Sequence, residues 1–220
     1  DLSLVIMSLM ETSSAHSKRS NTYSFFKNFI EEKFIEIQQE NNQIFKYNLG
    51  LKKSIKLPFI DFGSITSFHL FGLDELIIFA FYILNKDRYK KVADLGANIG
   101  LHSMVMQMCG WDVNAYEPDP IHIKHLRNNL LLNNITNIKI SEKAVSSKNG
   151  NLEFTRVVGN TTGSHLTGSK PNPYGKLEKF IVEVEGIDLI FSQNDLIKLD
   201  VEGHEKEVIL STTKSHWDNT

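Results

Sequence analysis

The sequence predicts an α/β fold: a Rossmann-like, doubly wound, mostly parallel sheet with an antiparallel hairpin insertion and an N-terminal helical extension. Three observations carry this expectation. Strand-like and helix-like segments alternate from residue 91 to residue 141, the order that builds a parallel sheet with crossover helices. The first of these strands runs into a glycine-bearing turn, Asp94-Leu95-Gly96-Ala97-Asn98-Ile99-Gly100. The second ends on an acid, in Tyr116-Glu117-Pro118-Asp119-Pro120, about 20 residues further on, where such folds hold a ribose.

Taken in order, apolar residues at Tyr23, Phe26, Ile30, Phe34, Ile37 and Ile44 recur at helical spacing, which predicts an amphipathic helix over 22–45. Residues 57–71 mix Pro, Gly, β-branched and aromatic types and read as short strands and turns. The Asp61-Phe62-Gly63 tripeptide within them has a kinase-like spelling, but no glycine-rich loop or catalytic-loop motif accompanies it, so it is read as coincidence. Asp74 is expected to cap a buried helix through 76–84, with Lys86, Arg88, Lys90 and Lys91 offsetting the partial charge at its end.

Strands are then expected at 91–95, 112–116 and 138–141, with helices at 99–109, stopped by Gly110, and at 121–132. The second helix has Asp119 as N-cap and Pro120 at its first position. Asn149-Gly150 lies between 144–147 and 151–157 and signals a hairpin, because both turn positions of the tight form want positive φ. Residues 159–176 are rich in Gly, Thr, Ser, Asn and Pro and read as a long connection of the kind that forms substrate loops. Strands at 180–185 and 196–200 and a helix at 203–210 complete the pattern. The domain reading is an extension over 1–70 and a catalytic domain over 71–220, and either the chain continues beyond Thr220 or the sheet is short of its final strands.

Composition narrows the partners. A net charge of −2 gives no basic field for a phosphate backbone, so neither nucleic acid nor a membrane surface is expected. The apolar runs 2–10 and 76–84 are far short of the ~20 residues of a bilayer span, and the first lacks the flanks of a signal peptide. A single cysteine, Cys109, allows no internal disulfide and suits a reducing compartment, so a cytoplasmic protein is expected. Asn160-Thr161-Thr162 matches a glycosylation sequon without a secretory context and is given no role.

Around the turn, glycine admits close backbone approach or positive φ, and Asn98 stands where many such loops carry glycine, since Asn also visits positive φ. The dinucleotide fingerprint G-x-G-x-x-G is not present, and Asp94, two residues before the first glycine, would repel a pyrophosphate. The α-ammonium of S-adenosylmethionine would instead be attracted to it, so the methyl donor is the expected cofactor and an NAD-linked oxidoreductase the alternative enzyme.

The run DLGANIG at 94–100, YEPDP at 116–120, Leu126-Arg127-Asn128-Asn129, EKAVSSKNG at 142–150, VEVEGIDLI at 182–190 and LIKLDVEGHE at 196–205 resemble, in order and spacing, the FkbM methyltransferase family. The resemblance covers about residues 74–210 and is most specific at Lys198-x-Asp200-x-Glu202-Gly203-x-Glu205. It implies a Rossmann-like methyltransferase in which Asp94, Gly96, Ala97, Asn98 and Gly100 bind the methionine end, Glu117 holds the ribose and Ala144 lies beside the adenine. Lys143 departs from the small polar residue expected before Ala144. The resemblance also implies a glycan or natural-product hydroxyl as acceptor.

Methyl transfer is an in-line displacement that gains most from positioning, with a general base to help a feeble hydroxyl nucleophile. Lys198, Asp200, Glu202, His204 and Glu205 fall at the carboxyl end of a strand, where open α/β sheets bind ligands. His204 is the expected base because imidazole titrates near neutrality, with Asp200 orienting substrate or cofactor and Glu202 beside them. Asp200, Glu202 and His204 are also residue types that could hold a divalent cation, although no metal site is predicted. The residues Asp200-Val201-Glu202-Gly203 lack the Asp/Asn-Pro-Pro-aromatic motif of nucleobase amine methylation, which favours oxygen as acceptor. A non-catalytic cofactor-binding or interaction module of a larger protein is the third reading, and the N-terminal helices offer a substrate cap or a homo-oligomer contact.

Overall fold

The structure is a computed structural model that describes residues 2–37, 44–63, 65–170 and 175–218, the side chains of 34–37 excepted. It divides into two compact units, one of Asp1–Asp61 with Ile65–Asp87, the other of Phe62–Ser64 with Arg88–Thr220.

The first unit holds helices α1 (Ser3–Glu11), α2 (Asn21–Ile37) and α3 (Leu73–Leu84) and an antiparallel pair, β1 (Ile44–Tyr47) with β2 (Ile55–Pro58). The helix expected to reach residue 45 is described as far as Ile37; Ile44 and Phe45 lie in β1, and 38–43 fall outside the described residues. Helix α3 buries Leu73, Leu76, Phe79, Ala80 and Tyr82, and packs on α1, which buries Val5, Ile6 and Leu9. For this reason α3 groups with the first unit, and the division falls near residue 88 where the sequence reading drew it near 70. Asp74 is not the cap of α3. Gly72 takes that position, and Asp74, in the first turn, accepts from Tyr23 Oη at 2.8 Å and pairs with Lys18 at 2.9 Å. No described helix is long and apolar enough to cross a membrane.

The second unit is built on a parallel sheet of β3 (Lys91–Leu95), β4 (Asp112–Tyr116), β5 (Ile138–Ser141) and β10 (Leu196–Leu199), in the order β10-β3-β4-β5. The central strand β3 is buried from Val92 to Leu95, as expected for a strand covered on both faces. Helices α4 (Leu101–Met108) and α5 (Pro120–Leu132) are the crossovers, and α5 begins as its sequence dictates, with Asp119 accepting the Ile121 N–H at 2.8 Å and Pro120 following. The core packs Ala93, Leu95 and Tyr116 of the sheet against Val145, Val208 and Ile187, Ile190 and Phe191 of helix α6 (Ile187–Gln193). Each fully buried aliphatic or aromatic side chain there contributes about 1.5–3 kcal/mol. Short helices α7 (Glu205–Leu210) and α8 (Lys214–Trp217) end the described chain.

A second sheet contains β6 (Ala144–Ser146), β7 (Gly150–Val158), β8 (His165–Leu166) and β9 (Lys176–Gly186), in the order β6-β9-β7-β8. The antiparallel insertion is there, but Asn149-Gly150 does not close a hairpin between β6 and β7. Neither residue has positive φ, and β9 lies between the two strands, so that Val184 pairs with both Ala144 and Gly150. Asn149 instead accepts the Gly186 N–H at 2.6 Å through Oδ1, fastening the end of β9. The connection at 159–176 carries a 3₁₀ turn at Thr161–Gly163 and the strand β8, with 171–174 outside the described residues.

Candidate functional site

The carboxyl ends of β3, β4 and β10 bring the sequence motifs together. Gly96 has φ +79°, and a Cβ placed on it would stand 1.9 Å from the carbonyl oxygen of Asp200, so the turn and the last motif are in backbone contact. Asn98 takes φ +51°, as its place in the turn predicts. Gly100, at φ +84°, is the N-cap of α4 and lies against Leu126. Four amide donors of the turn are engaged: the Gly96 and Ala97 N–H groups donate to the Tyr116 carbonyl at 3.0 and 2.9 Å, Gly100 to the Ala97 carbonyl at 2.8 Å, and Asn98 to Glu117 Oε2 at 2.8 Å.

Asp94 is fully buried. Its Oδ2 accepts from Ser103 Oγ at 2.6 Å, and Lys198 Nζ stands 3.2 Å from Oδ1, close enough to pair although not aligned as a hydrogen bond. Burial pushes the carboxyl pKa up, but Lys198 foremost, then His102 and Ser103, more than offset this and hold it below the usual value. The cation beside Asp94 is therefore the protein's own. Lys198 also donates to the Gly96 carbonyl at 3.1 Å and lies 3.6 Å from Asp200 Oδ2.

Glu117 is buried at the end of β4 and accepts two backbone amides, Asn98 at Oε2 and Asp119 at Oε1, at 2.8 and 2.9 Å. The His122 ring, on α5, places Nδ1 3.6 Å from Glu117 Oε1. Two atoms of the residues that approach this carboxylate, Asn98 Oδ1 and His122 Nε2, are buried with no hydrogen-bond partner. Burial lowers the His122 pKa, yet the Glu117 carboxylate and, more weakly, Asp119 outweigh it and raise the value above 6.5. Protonation of His122 thus favours the folded state: the contribution is complete below pH 6.5 and is lost as the pH rises through the raised pKa. Melting temperatures of Glu117→Gln should fall less steeply than wild type as the pH is raised above 6.5; parallel curves would show that the pair does not form.

Asp119 is held in turn by Arg156 of β7, whose Nε and Nη2 donate to Oδ2 and Oδ1 at 2.8 and 2.7 Å. Arg156 Nη1 also donates to Glu178 at 3.0 Å, and its guanidinium lies 4.7 Å from the centroid of the Phe180 ring. This bidentate pair ties the insertion to the start of α5.

The loop after β10 is tightly specified. Glu202, a non-glycine residue at φ +54°, and Gly203, at φ +98°, turn the chain; Glu205 accepts the Val201 and Gly203 N–H groups at 2.8 and 2.9 Å. The three residues expected to act together have different partners: Asp200 is largely exposed beside Lys198, Glu202 pairs with Lys170 at 2.5 Å, and His204 lies between two serines. No group of three His, Cys, Asp or Glu side chains among the described residues is placed to hold a metal ion. His204 Nε2 is 2.9 Å from Ser146 Oγ and Nδ1 is 3.0 Å from Ser169 Oγ. Burial lowers its pKa against the weaker pull of Glu207 and Glu205, so the imidazole is neutral at pH 7. Ala144, expected near the adenine, is a buried residue at the start of β6, and Lys143 beside it pairs with Glu183 at 2.6 Å.

Sequence reasoning did not single out Ser103, His122, Ser146, Arg156, Ser169 or Lys170. Ser103 and His122 carried a usable signal, each standing in the first turn of a helix that follows a motif strand; Arg156, Ser169 and Lys170 lie on the insertion and its loops, where only three-dimensional pairing reveals them. A polar cleft of about 460 Å³, lined by Lys91, Asp112, Asn114 and Lys139, opens at the amino ends of the strands, opposite these residues.

A 27% identical stretch of 160 residues relates the chain to the methyltransferase sdnD of Sordaria araneosa, covering 58% of this chain and 62% of that protein. A solved S-adenosylmethionine-dependent methyltransferase from Agrobacterium tumefaciens superposes with a TM-score of 0.36 at 17% identity, over 49% of this chain and 34% of that one. The family profile described as the methyltransferase FkbM domain matches residues 94–219, from the buried Asp94 past the loop that carries His204. The chain belongs to the FkbM methyltransferase family.

Proposed function

We propose that this chain transfers the methyl group of S-adenosylmethionine to a hydroxyl oxygen of a sugar, polysaccharide or natural product. The observation that carries the oxygen reading is His204, a neutral imidazole at the carboxyl end of the sheet with a hydroxyl oxygen at hydrogen-bond distance from each ring nitrogen. A ring that already accommodates hydroxyls at 2.9 and 3.0 Å is suited to take a proton from one. Ser169, just after β8 and 3.0 Å from His204 Nδ1, is the partner an acceptor hydroxyl would replace.

The residues present fit the methyl donor. Glu117 is a buried carboxylate that can accept from a ribose diol, and Asn98, whose backbone amide donates to it, keeps a buried, unpartnered Oδ1 as a further acceptor. Four amides that a pyrophosphate could otherwise use, those of Gly96, Ala97, Asn98 and Gly100, already donate to Tyr116, Glu117 and Ala97. When bound, S-adenosylmethionine supplies an electrophilic methyl group. Glu117 then holds the ribose, the 96–100 turn lines the methionine end, Lys198 keeps the charge of Asp94 compensated, and His204 accepts the acceptor's proton at a ring nitrogen.

Calorimetric titration tests this directly. The chain should bind S-adenosylmethionine and not NAD, and Glu117→Ala should weaken that binding by about 1–3 kcal/mol, the loss of a charged hydrogen-bond acceptor. NAD binding in its place would sink the reading. Donor binding without turnover on any alcohol would favour a non-catalytic module.

A further inference from the structure

Phe62 of the DFG tripeptide belongs to the second unit and is 3% exposed. Its carbonyl accepts the Thr161 N–H at 3.2 Å, and the next residue, Gly63 at φ +98°, lies so close to the chain that a Cβ there would fall 1.3 Å from the Gly159 carbonyl oxygen. Only glycine permits that approach. Phe62 is thereby fixed, and its ring meets His122 edge to face, with centroids 6.2 Å apart and planes at 89°. His122 is 5% exposed, with Nδ1 toward Glu117 and Nε2 without a partner.

A buried imidazole with one unsatisfied nitrogen is unfavourable in a core that needs only packing, since an apolar residue would fill the same space without the desolvation of an unpaired polar atom. Its proximity to Glu117 accounts for a polar residue there. From this geometry we infer that His122 is a positioning residue for the cofactor's ribose: it fixes the Glu117 carboxylate in the orientation that receives the diol, and Phe62 fixes His122. The inference rests on the proposal that Glu117 binds the ribose. It gives the tripeptide a part in cofactor recognition, unrelated to kinase chemistry.

The test compares S-adenosylhomocysteine with its 2′,3′-dideoxy analogue by calorimetry on the full chain. Wild type should bind the diol-bearing ligand at least tenfold more tightly. His122→Leu should weaken S-adenosylhomocysteine about tenfold while leaving the dideoxy analogue unchanged, and Phe62→Ala should reproduce that selectivity loss in smaller measure. His122→Gln, which keeps a polar head, should recover part of it. Melting curves identify any variant that fails to fold, in which case Phe62→Leu and His122→Gln carry the comparison. Equal weakening of both ligands, or of neither, overturns the inference while leaving Glu117 in place; a wild type blind to the diol, or binding neither ligand, overturns the ribose assignment and the inference with it.

Discussion

Gly96→Ala is expected to melt well below wild type and to lose binding of the methyl donor. Two effects add. Alanine at φ +79° costs about 1–2 kcal/mol in backbone energy. Its Cβ would also stand 1.9 Å from the Asp200 carbonyl oxygen, and both neighbours are backbone, so relief requires the turn and the loop after β10 to move apart. The sum is of order 4 kcal/mol, among the larger single-residue effects. Gly150→Ala is the matched control: its backbone has no positive φ and nothing lies within 4 Å of the added carbon, so it should be neutral or slightly stabilising. Differential scanning calorimetry on the pair separates the outcomes; a Gly96→Ala protein melting like wild type would mean that β3 and the 200–203 loop do not meet as described.

The second large effect concerns His204. His204→Ala should lower the rate of methyl transfer to an alcohol acceptor by about 10²–10⁴-fold while leaving donor affinity within about twofold. The pH dependence gives the sign. Only neutral imidazole accepts a proton, and burial favours the neutral form, so the rate should be flat at neutral pH and fall as acid protonates the ring, with its inflection below 6.5. A radiolabelled donor with a panel of sugars and polyketide alcohols supplies the assay, and the His204 ring resonance should titrate with the same midpoint. A variant that retains the wild-type rate would remove His204 from the chemistry.

The sheet was legible because its signals are local and redundant. Alternating periodicity, a cap at Asp119, Pro120 and an acid at the strand end all specify the same β3-α4-β4-α5 path, and the strands fall at the expected residues. The turn was legible for the same reason, since positive φ restricts residue type at Gly96, Asn98 and Gly100. What escaped depends on contacts distant in sequence. Nothing near Asp94 announces that Lys198 will sit beside it, and nothing near Asn149 announces that β9 will enter between its flanking strands. Asp74 misled because a residue good at capping is also good at accepting from Tyr23 and Lys18, and tertiary partners decided.

The placement of β9 bears on how the chain acquires its structure. Strands β6 and β7 are separated by only a few residues, yet they do not pair, and both register on Val184, about 34–40 residues further along. A nascent chain can form the β3-α4-β4 part from near neighbours, but the second sheet must wait for β9, with the closure entropy of a long loop to overcome first. Refolding should therefore be biphasic in amide-protection experiments, with β6, β7 and β9 gaining protection together and after β3 and β4. The segment that carries Arg156 to Asp119 would then be the last to lock, and cofactor-binding competence would appear only in the slower phase.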